Sequence, residues 1–484
     1  MTDKRASWSG QLAFVLAAAA SAIGLGNLWR FPYLAAQYGG GTFIVVYLAL
    51  VVTLGFTLML SEIAIGRKTQ QSQLTAYSRL HRGWGFIGFL GTVVPILIVP
   101  YYCVIGGWVL RYFVAYVEMA FTGAMPMGMG EAAANSGAFF TDFVSSPFAP
   151  FGYGSLFVLA CAAVIVMGVK NGIERSNLIL MPALFLLAIA ISIYVICLPG
   201  TGDGLKYYLI PSMDALCDAE GAFSVAQLGK TILGAMGQMF YSLSLAMGIM
   251  ITYGSYMRKT DSIERSVRRI EIFDTLIAVI AGLMIIPVVY MFAAKTGTPV
   301  KEAMNAGPGL MFITLPKVFA TLGAAGAWVG LAFFALVIFA ALTSAISLYE
   351  ACVASVCDLL HINRKSATFF TGALILFLAT FSALGYGPWS DVTIGGMQFL
   401  DFFDFITNSV LMPIVAAATC IFIGWVLKPK AIEEEVEVEG NPFRAKKLYG
   451  FMVRYFAPLF VAAILVSQVM QFLHDRFKMG DWSI

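Results

Sequence analysis

The chain has 484 residues, of which 60% are hydrophobic and only 12% charged. Soluble domains carry roughly a quarter charged residues, so this composition excludes an ordinary soluble protein and predicts a membrane protein. The net charge is only +3, and no basic stripe with interleaved aromatic residues indicates a nucleic-acid partner. The three histidines lie far apart in sequence, without metal-ligand spacing.

Eleven segments are apolar enough to cross a bilayer, which takes about 20 mostly apolar residues in a helix. No polar linker is long enough to divide the chain, so we expect a single transmembrane domain over residues 1–484. Between the seventh and eighth spans, an apolar run after Gly307-Pro308-Gly309 predicts a re-entrant or surface helical hairpin, a plausible lid. The predicted spans are residues 10–36, 41–66, 88–121, 153–169, 178–198, 228–256, 272–294, 326–356, 367–386, 399–427 and 452–473.

The distribution of Lys and Arg predicts the orientation of these spans. With the N-terminus inside, the cytoplasmic segments hold 21 of these cations and the external segments hold seven. Because cytoplasmic segments carry the excess of Lys and Arg, we predict a cytoplasmic N-terminus and an external C-terminus, which requires an odd number of spans. We expect a multi-pass protein of the cell inner (plasma) membrane, embedded in its lipid bilayer.

The first span contains residues that are poorly suited to a helix facing lipid. Gly24, Gly26, Asn27, Arg30 and Pro32 fall within nine positions, and a helix interior loses about 1 kcal/mol for Gly and about 3 kcal/mol for Pro. One interpretation is a short helix that ends at Asn27, with Arg30 at the interface. The other is a helix unwound at residues 24–26, which is tolerated at that depth only where the backbone lines a protein-enclosed cavity.

The sixth span carries a second irregular stretch, a cluster of hydroxyl and small residues between Gln238 and Gly248. Its serines could simply bond back to a carbonyl one turn earlier. The stretch lies five spans after the first break, however, and interrupted helices at corresponding positions of two halves indicate a transporter built from repeats. The pair of irregularities therefore favours two broken helices.

These residues carry a family resemblance. Residues 22–32, followed by the glycines at 39–41, resemble the signature of the neurotransmitter:sodium symporter family, and the resemblance continues at residues 101–102, 238–248, 341–344 and 400–405. Eleven spans resemble a common bacterial branch. The resemblance implies an all-α membrane protein with a LeuT-type bundle. Two inverted five-helix repeats (residues 10–198 and 228–427) would precede an eleventh helix (452–473), and helices 1 and 6 would be broken.

The resemblance also implies a symporter that imports amino acids with sodium by alternating access, and not an enzyme. A monomer would suffice for transport, and a dimer is possible. Two sodium ions would bind, and a hard cation prefers oxygen ligands. The ligands implied for the first ion are Ala22, Asn27, Ser242 and Asp274, and those implied for the second are Ala20, Ile23, Ala340, Thr343 and Ser344.

Asp274 has two interpretations. It is either an interfacial Asp near a helix N-terminus, which is favourable in any case, or an intramembrane carboxylate with a function. Relatives either need chloride near the first ion or supply a fixed carboxylate there. Tyr47, Gln238 and Ser242 match the chloride positions, and Ala278 stands where a chloride-binding Ser or a substituting Glu would be. Because Asp274 offers the negative charge instead, we expect no chloride requirement.

The substrate class follows from residue 24 within the same resemblance. Monoamine carriers of the family have an Asp there, whereas Gly24 leaves no countercharge for an amine. The resemblance therefore indicates an amino acid as the substrate, and Met247 favours a hydrophobic or aromatic side chain on it. Alternatives are another small carboxylate- or sulfonate-bearing amine, or a non-transporting receptor or channel of the same fold. The expected substrate contacts are Ser21, Ala22, Gly24, Leu25, Gly26, Ile98, Tyr102, Tyr241, Ser242, Ser244, Met247, Ser344 and Leu348.

Two charge pairs match the gates of the family. Arg30 and Asp404 correspond to an outer pair above the site, and Arg5 and Asp358 correspond to an inner pair. In the fifth span, residues 172 and 182 resemble a Gly and Pro motif for local unwinding, although an ordinary helix weakened by Pro would look the same.

Overall fold

The computed structural model describes residues 5–123, 136–218, 220–304 and 307–477. Within these ranges the secondary structure is helical, and β-pairing is limited to isolated bridges such as that between Gly40 and Pro211. Lys4 and Lys478, which contributed to the charge count, lie outside the described residues.

Nine continuous helices of the described chain are long and apolar enough to cross a membrane. They correspond to the predicted spans 2 to 5 and 7 to 11, and exposed apolar side chains such as Leu186 and Ile193 cover the outer surface of span 5. Such a surface suits lipid better than water. The helices are Gly41–Thr69, Arg82–Thr122, Ala149–Val166, Val169–Ile196, Ile263–Thr296, Ala324–Leu360, Arg364–Gly385, Phe399–Leu427 and Lys446–His474.

Span 1 is broken, as one of the two interpretations required. Gln11–Ala22 and Gly26–Gln37 meet at an angle of 54°. The helix is interrupted at Ile23 and Gly24, one residue earlier than predicted, because Leu25 already has helical dihedral angles. Two contacts of Asn27 hold the break at this position: its Oδ1 accepts the Gly24 N–H at 3.1 Å, and its own N–H donates to the Gly24 carbonyl at 3.2 Å.

Span 6 is broken too. The helices Val225–Ser242 and Ile249–Gly254 are separated by residues 243–248. Ser244, Ala246 and Gly248 have φ angles of 53°, 58° and 77°, in the left-handed region that L-residues adopt at a cost. The Ala246 N–H, which a continuous helix would have paired, donates instead to the Glu62 carboxylate at 2.7 Å. In the described chain the nine continuous helices and the bent span 1 are long and apolar enough to cross a membrane, and the two helices of span 6 lie at the place of the remaining predicted span.

The predicted external hairpin contains a short apolar helix, Leu310–Ala320. Phe312 is fully buried there, with its ring centroid 5.8 Å from that of Trp108. The Tyr112 hydroxyl donates to the Phe312 carbonyl at 2.7 Å. The segment therefore packs on span 3 instead of standing free in solvent.

Spans 3 and 8 pack along each other, and the N-terminal half of span 1 packs on span 8 and span 7. The C-terminal half of span 6 lies against spans 2 and 8. This arrangement places both breaks inside the bundle, where Ile23, Leu243 and Leu245 are fully buried. Non-helical backbone at membrane depth is thereby enclosed by protein.

Candidate substrate and ion site

A cavity lies between the two breaks and spans 3 and 8, with about 340 Å³ of empty space when the solvent it opens onto is included. Twelve of the thirteen expected substrate contacts line it, and Ser242 is the exception. Asn27 and Ile249 line it in addition. The lining residues are Ser21, Ala22, Gly24, Leu25, Gly26, Asn27, Ile98, Tyr102, Tyr241, Ser244, Met247, Ile249, Ser344 and Leu348.

Two glycines of span 1 are required by close approach. A Cβ on Gly24 would lie 2.8 Å from Ser344 Oγ and 3.1 Å from the Tyr102 hydroxyl, and a Cβ on Gly26 would lie 2.4 Å from the Tyr241 ring. The distances to Ser344 Oγ and to the Tyr241 ring are both shorter than a normal van der Waals contact. A side chain at residue 24 or 26 would therefore displace the cavity wall. The larger Asp at position 24 would not fit without such a shift.

Polar and apolar groups occupy different parts of the cavity wall. The Leu25 N–H donates to the Tyr102 hydroxyl at 3.3 Å, and Ser344 Oγ donates to the carbonyls of Ser21 at 3.0 Å and Ile23 at 3.3 Å. These hydrogen bonds gather hydroxyls and backbone groups at the span 1 break. The remaining wall carries the aliphatic and thioether side chains of Ile98, Met247, Ile249 and Leu348.

Beside the cavity, Asp274 is fully buried and accepts hydrogen bonds from three other helices. Asn27 Nδ2 donates to it at 2.8 Å, Ser242 Oγ at 2.9 and 3.0 Å, and the Tyr47 hydroxyl at 3.2 Å. Asn27 Nδ2 also lies 3.0 Å from Ser242 Oγ. Asp274 is therefore an intramembrane carboxylate of the bundle interior, and its interpretation as an interfacial Asp at a helix N-terminus is wrong. Ala22 lines the adjoining cavity.

The residues expected at the second ion lie on the other side of the span 1 break. Ser344 Oγ donates to the Ile23 carbonyl at 3.3 Å. The neighbouring Thr343 Oγ1 donates to the carbonyls of Phe339 at 3.0 Å and Ala340 at 3.1 Å. Bonds of the latter kind are common in any helix. Ala20 is fully buried on the preceding turn of span 1. The structure therefore brings Ile23 and Ser344 together, while Thr343 bonds within its own helix.

The inner charge pair is formed. Arg5 Nη1 lies 2.6 and 2.9 Å from the two carboxylate oxygens of Asp358, and Arg5 also donates to Ser255 Oγ. Three residues on, the Trp8 side chain is 1% exposed, and its indole N–H donates to the Tyr253 carbonyl at 3.0 Å. The N-terminal segment thus seals one end of the bundle.

The expected outer pair is not formed in this structure. Asp404 accepts instead from the Tyr101 hydroxyl at 3.0 Å and from Asn408 Nδ2 at 2.6 Å. The Arg30 guanidinium lies 5.7 Å from the centre of the Tyr241 ring, at a distance typical of a cation–π contact. Arg30 and Asp404 both line a vestibule that, with the solvent it opens onto, holds about 1900 Å³ of empty space. The bundle is closed at the Arg5 end and open at the Arg30 end.

Glu62 is a residue at the site that sequence reasoning missed. Its carboxylate is 4% exposed and holds the left-handed Ala246 in place. A signal was available, because a Glu inside a predicted apolar span is a functional candidate. The contact of Asn408 with Asp404 and the place of Ile249 in the cavity wall could not be recognised in this way. Neither residue type is unusual in its span, so only the packed structure shows where these side chains lie.

A bundle with two broken helices around a central cavity, closed at one end and open at the other, is the architecture of a secondary transporter. The solved structure of MhsT in complex with L-phenylalanine matches this chain with a TM-score of 0.82 and 36% sequence identity, covering 96% of this chain and 100% of that one.

The relatives of known sequence agree with this class. The uncharacterized sodium-dependent transporter YhdH of Bacillus subtilis is 32% identical over 470 residues, which are 96% of this chain and 98% of that protein. The human sodium- and chloride-dependent GABA transporter 2 is 26% identical, over 90% of this chain and 75% of that protein. The family model described as the Sodium:neurotransmitter symporter family matches residues 5–145 and 154–483.

The chain belongs to the Sodium:neurotransmitter symporter family. It is an integral multi-pass membrane protein of the LeuT fold and a sodium-coupled transporter of a small molecule, not an enzyme.

Proposed function

We propose that this transporter imports amino acids with hydrophobic or aromatic side chains, together with sodium, by alternating access. The observation that carries the proposal is the wall of the central cavity, in which none of the fourteen lining residues is charged. An amine that lacked its own carboxylate would find no acidic side chain there. An amino acid brings both charges, and the hydroxyl of Tyr102 and the amide dipoles of the span 1 break suit its carboxylate.

The apolar part of the wall supports the choice of side chain. Ile98, Met247, Ile249 and Leu348 offer only apolar surface, and the flexible thioether of Met247 adapts to side chains of different shape. The related MhsT was solved with L-phenylalanine bound. A small carboxylate- or sulfonate-bearing amine without an apolar side chain would leave this surface unfilled.

We propose two sodium sites. For the first, the buried Asp274 carboxylate supplies the charge, and Ser242 and the Ala22 carbonyl supply further oxygens. Turning the Asn27 amide by half a turn would give up its hydrogen bond from the Gly24 N–H and would point its oxygen, in place of Nδ2, at the ion between Asp274 and Ser242. For the second, Ser344, Thr343 and the carbonyls of Ala20, Ile23 and Ala340 surround the other side of the break.

We propose that transport does not require chloride. The hydroxyls of Tyr47 and Ser242, which would be the donors for a chloride ion, both donate to Asp274. The carboxylate therefore occupies the donors and supplies the negative charge that an anion would bring. Ala278, fully buried one turn further along span 7, adds no hydroxyl.

The proposed arrangement in the membrane follows the charge bias. The N-terminus and the Arg5–Asp358 pair face the cytoplasm, the vestibule faces outward, and the C-terminus is external, in the cell inner membrane. The inverted repeats comprise residues 10–198 and 228–427, residues 452–473 form the additional helix, and one monomer contains a complete pathway. Arg30 and Asp404 are proposed to close the vestibule in another state of the cycle.

A competition experiment tests the substrate class. Purified protein binds radiolabelled phenylalanine in sodium chloride or sodium gluconate, and each of the twenty amino acids, taurine and γ-aminobutyrate compete in turn. We expect apolar and aromatic amino acids to compete best, equally in both salts. Strong competition by taurine or γ-aminobutyrate alone would favour the alternative substrate class, and binding that needs chloride would refute chloride independence.

A further inference from the structure

Gln73 is almost completely buried, although it belongs to the connection between spans 2 and 3. It begins the short helix Gln73–Leu80, and its side chain ends between Gly91 of span 3 and Gly248 of the span 6 break. A Cβ on Gly91 would lie 1.5 Å from Gln73 Nε2, and a Cβ on Gly248 would lie 2.4 Å from Gln73 Oε1. The amide therefore fills the space that side chains at both glycine positions would need.

Gly248 belongs to the part of the substrate cavity that we call the cavity floor, residues 247–249. Its two neighbours, Met247 and Ile249, line the cavity, whereas Gly248 and Gln73 do not. The Gln73 amide therefore contacts the floor from outside the cavity. Because residue 248 joins the two lining residues, a shift of its backbone moves the surface that faces the substrate.

The backbone that carries the Gln73 side chain is fixed by two other spans. The Ser72 N–H donates to the carboxylate of Asp358, near the end of span 8, at 2.6 Å. A Cβ on Gly88 would lie 2.5 Å from the Gln73 carbonyl oxygen, so the start of the short helix packs directly on span 3. Spans 3 and 8 thus set the position from which the amide presses on Gly248.

We propose that Gln73 is a positioning residue that sets the place of the cavity floor, and with it the largest substrate side chain that the cavity accepts. The inference rests on the proposed function and names a residue that limits substrate size at the same site. Gln73 Oε1 is buried and accepts no hydrogen bond within the described residues, and such an acceptor is unfavourable. The size of the Gln73 side chain, and not a hydrogen bond from its oxygen, therefore carries the effect.

Two substitutions should move the floor in opposite directions. Gln73→Ala leaves a gap behind Gly248 into which the floor moves back, whereas Gly91→Ala takes the place of the amide and pushes it toward Gly248. One methylene in an apolar pocket changes the discrimination between substrates by about tenfold or more. In competition against radiolabelled phenylalanine in sodium, the ratio of tryptophan to alanine affinity should rise about tenfold in Gln73→Ala and fall about tenfold in Gly91→Ala.

Three further variants separate size from other effects. Gln73→Met keeps the length of the side chain without its amide and should show the wild-type ratio. The double variant Gln73→Ala/Gly91→Ala places a methyl group in the vacated space, so the two changes should partly cancel, as expected for residues in contact. Gln71→Ala is the matched control, because the Gln71 side chain accepts from Thr75 at 2.8 Å within the same segment; its ratio should equal that of the wild type. Hydrogen exchange in residues 263–296 reports whether each variant remains folded.

An unchanged ratio in Gln73→Ala, an equal loss of affinity for both amino acids, or a Gln73→Met ratio like that of Gln73→Ala would overturn the proposal. Hydrogen exchange of the substrate-free protein distinguishes this failure from that of the proposed function. Gln73→Ala should speed exchange at residues 243–249, whereas Gln73→Met should not, and equal exchange in Gln73→Ala and the wild type would show that Gln73 does not hold the floor. If the wild type binds no amino acid, the proposed substrate is wrong, and the exchange result still decides whether Gln73 positions the floor.

Discussion

Replacing Asp274 by Asn separates the charge of the proposed first sodium site from its shape. The side chain keeps its size, yet the carboxylate that accepts from Asn27, Ser242 and Tyr47 becomes a neutral amide. With an effective dielectric constant of about 20, two unit charges about 4 Å apart attract by roughly 4 kcal/mol. Each 1.4 kcal/mol is a factor of ten, so sodium affinity should fall by about three orders of magnitude.

The assay is binding of labelled substrate over a titration of sodium, with Asp203→Asn, on a short helix outside the spans, as the matched control. The Asn variant also replaces one acceptor oxygen by an amide nitrogen, which leaves a hydroxyl of Tyr47 or Ser242 without its acceptor. Chloride should therefore restore part of its binding, and more so when Ala278→Ser adds a third hydroxyl. An Asp274→Asn protein that binds substrate at the wild-type sodium concentration, with or without chloride, would refute the reasoning.

Three further predictions concern the cavity and the inner end. Gly24→Ala places a Cβ 2.8 Å from a neighbouring hydroxyl, an overpacking of about 1–3 kcal/mol, so equilibrium binding should show substrate affinity reduced about tenfold to a hundredfold; unchanged affinity would contradict the fit. Met247→Phe fills the apolar part of the cavity, so competition assays should show a loss of aromatic substrates while alanine is retained, and an unaltered preference would count against the pocket. Asp358→Asn leaves Arg5 without its carboxylate and should speed hydrogen exchange over residues 5–14; equal exchange would show that the pair does not hold the inner end closed.

The fold could be predicted largely from the sequence, because hydropathy and helix length set the spans directly. The break in span 1 was expected from its glycines, but its position was displaced by one residue. The Asn27 side chain holds the break there, because its Oδ1 accepts the Gly24 N–H. A contact between side chain and backbone of this kind depends on local geometry that composition does not determine.

Those residues of the site whose charged side chains are energetically costly inside a membrane could be recognised from the sequence. Asp274 stands out in an apolar span for that reason, and Glu62 could have been recognised in the same way. The contact between the Ser9 N–H and the Glu174 carboxylate could not be predicted, because the two residues lie 165 positions apart in the sequence. The separation of Arg30 from Asp404 was also beyond the sequence, since it depends on the state of the vestibule.

Uptake by proteoliposomes tests the central claim most directly. Vesicles containing the purified protein are given radiolabelled phenylalanine or leucine, with and without an inward sodium gradient, and with gluconate in place of chloride. We expect accumulation above the external concentration only when the sodium gradient is present, and to the same level in either anion. If no amino acid accumulates, or if accumulation is the same without the gradient, the protein does not couple amino-acid import to sodium.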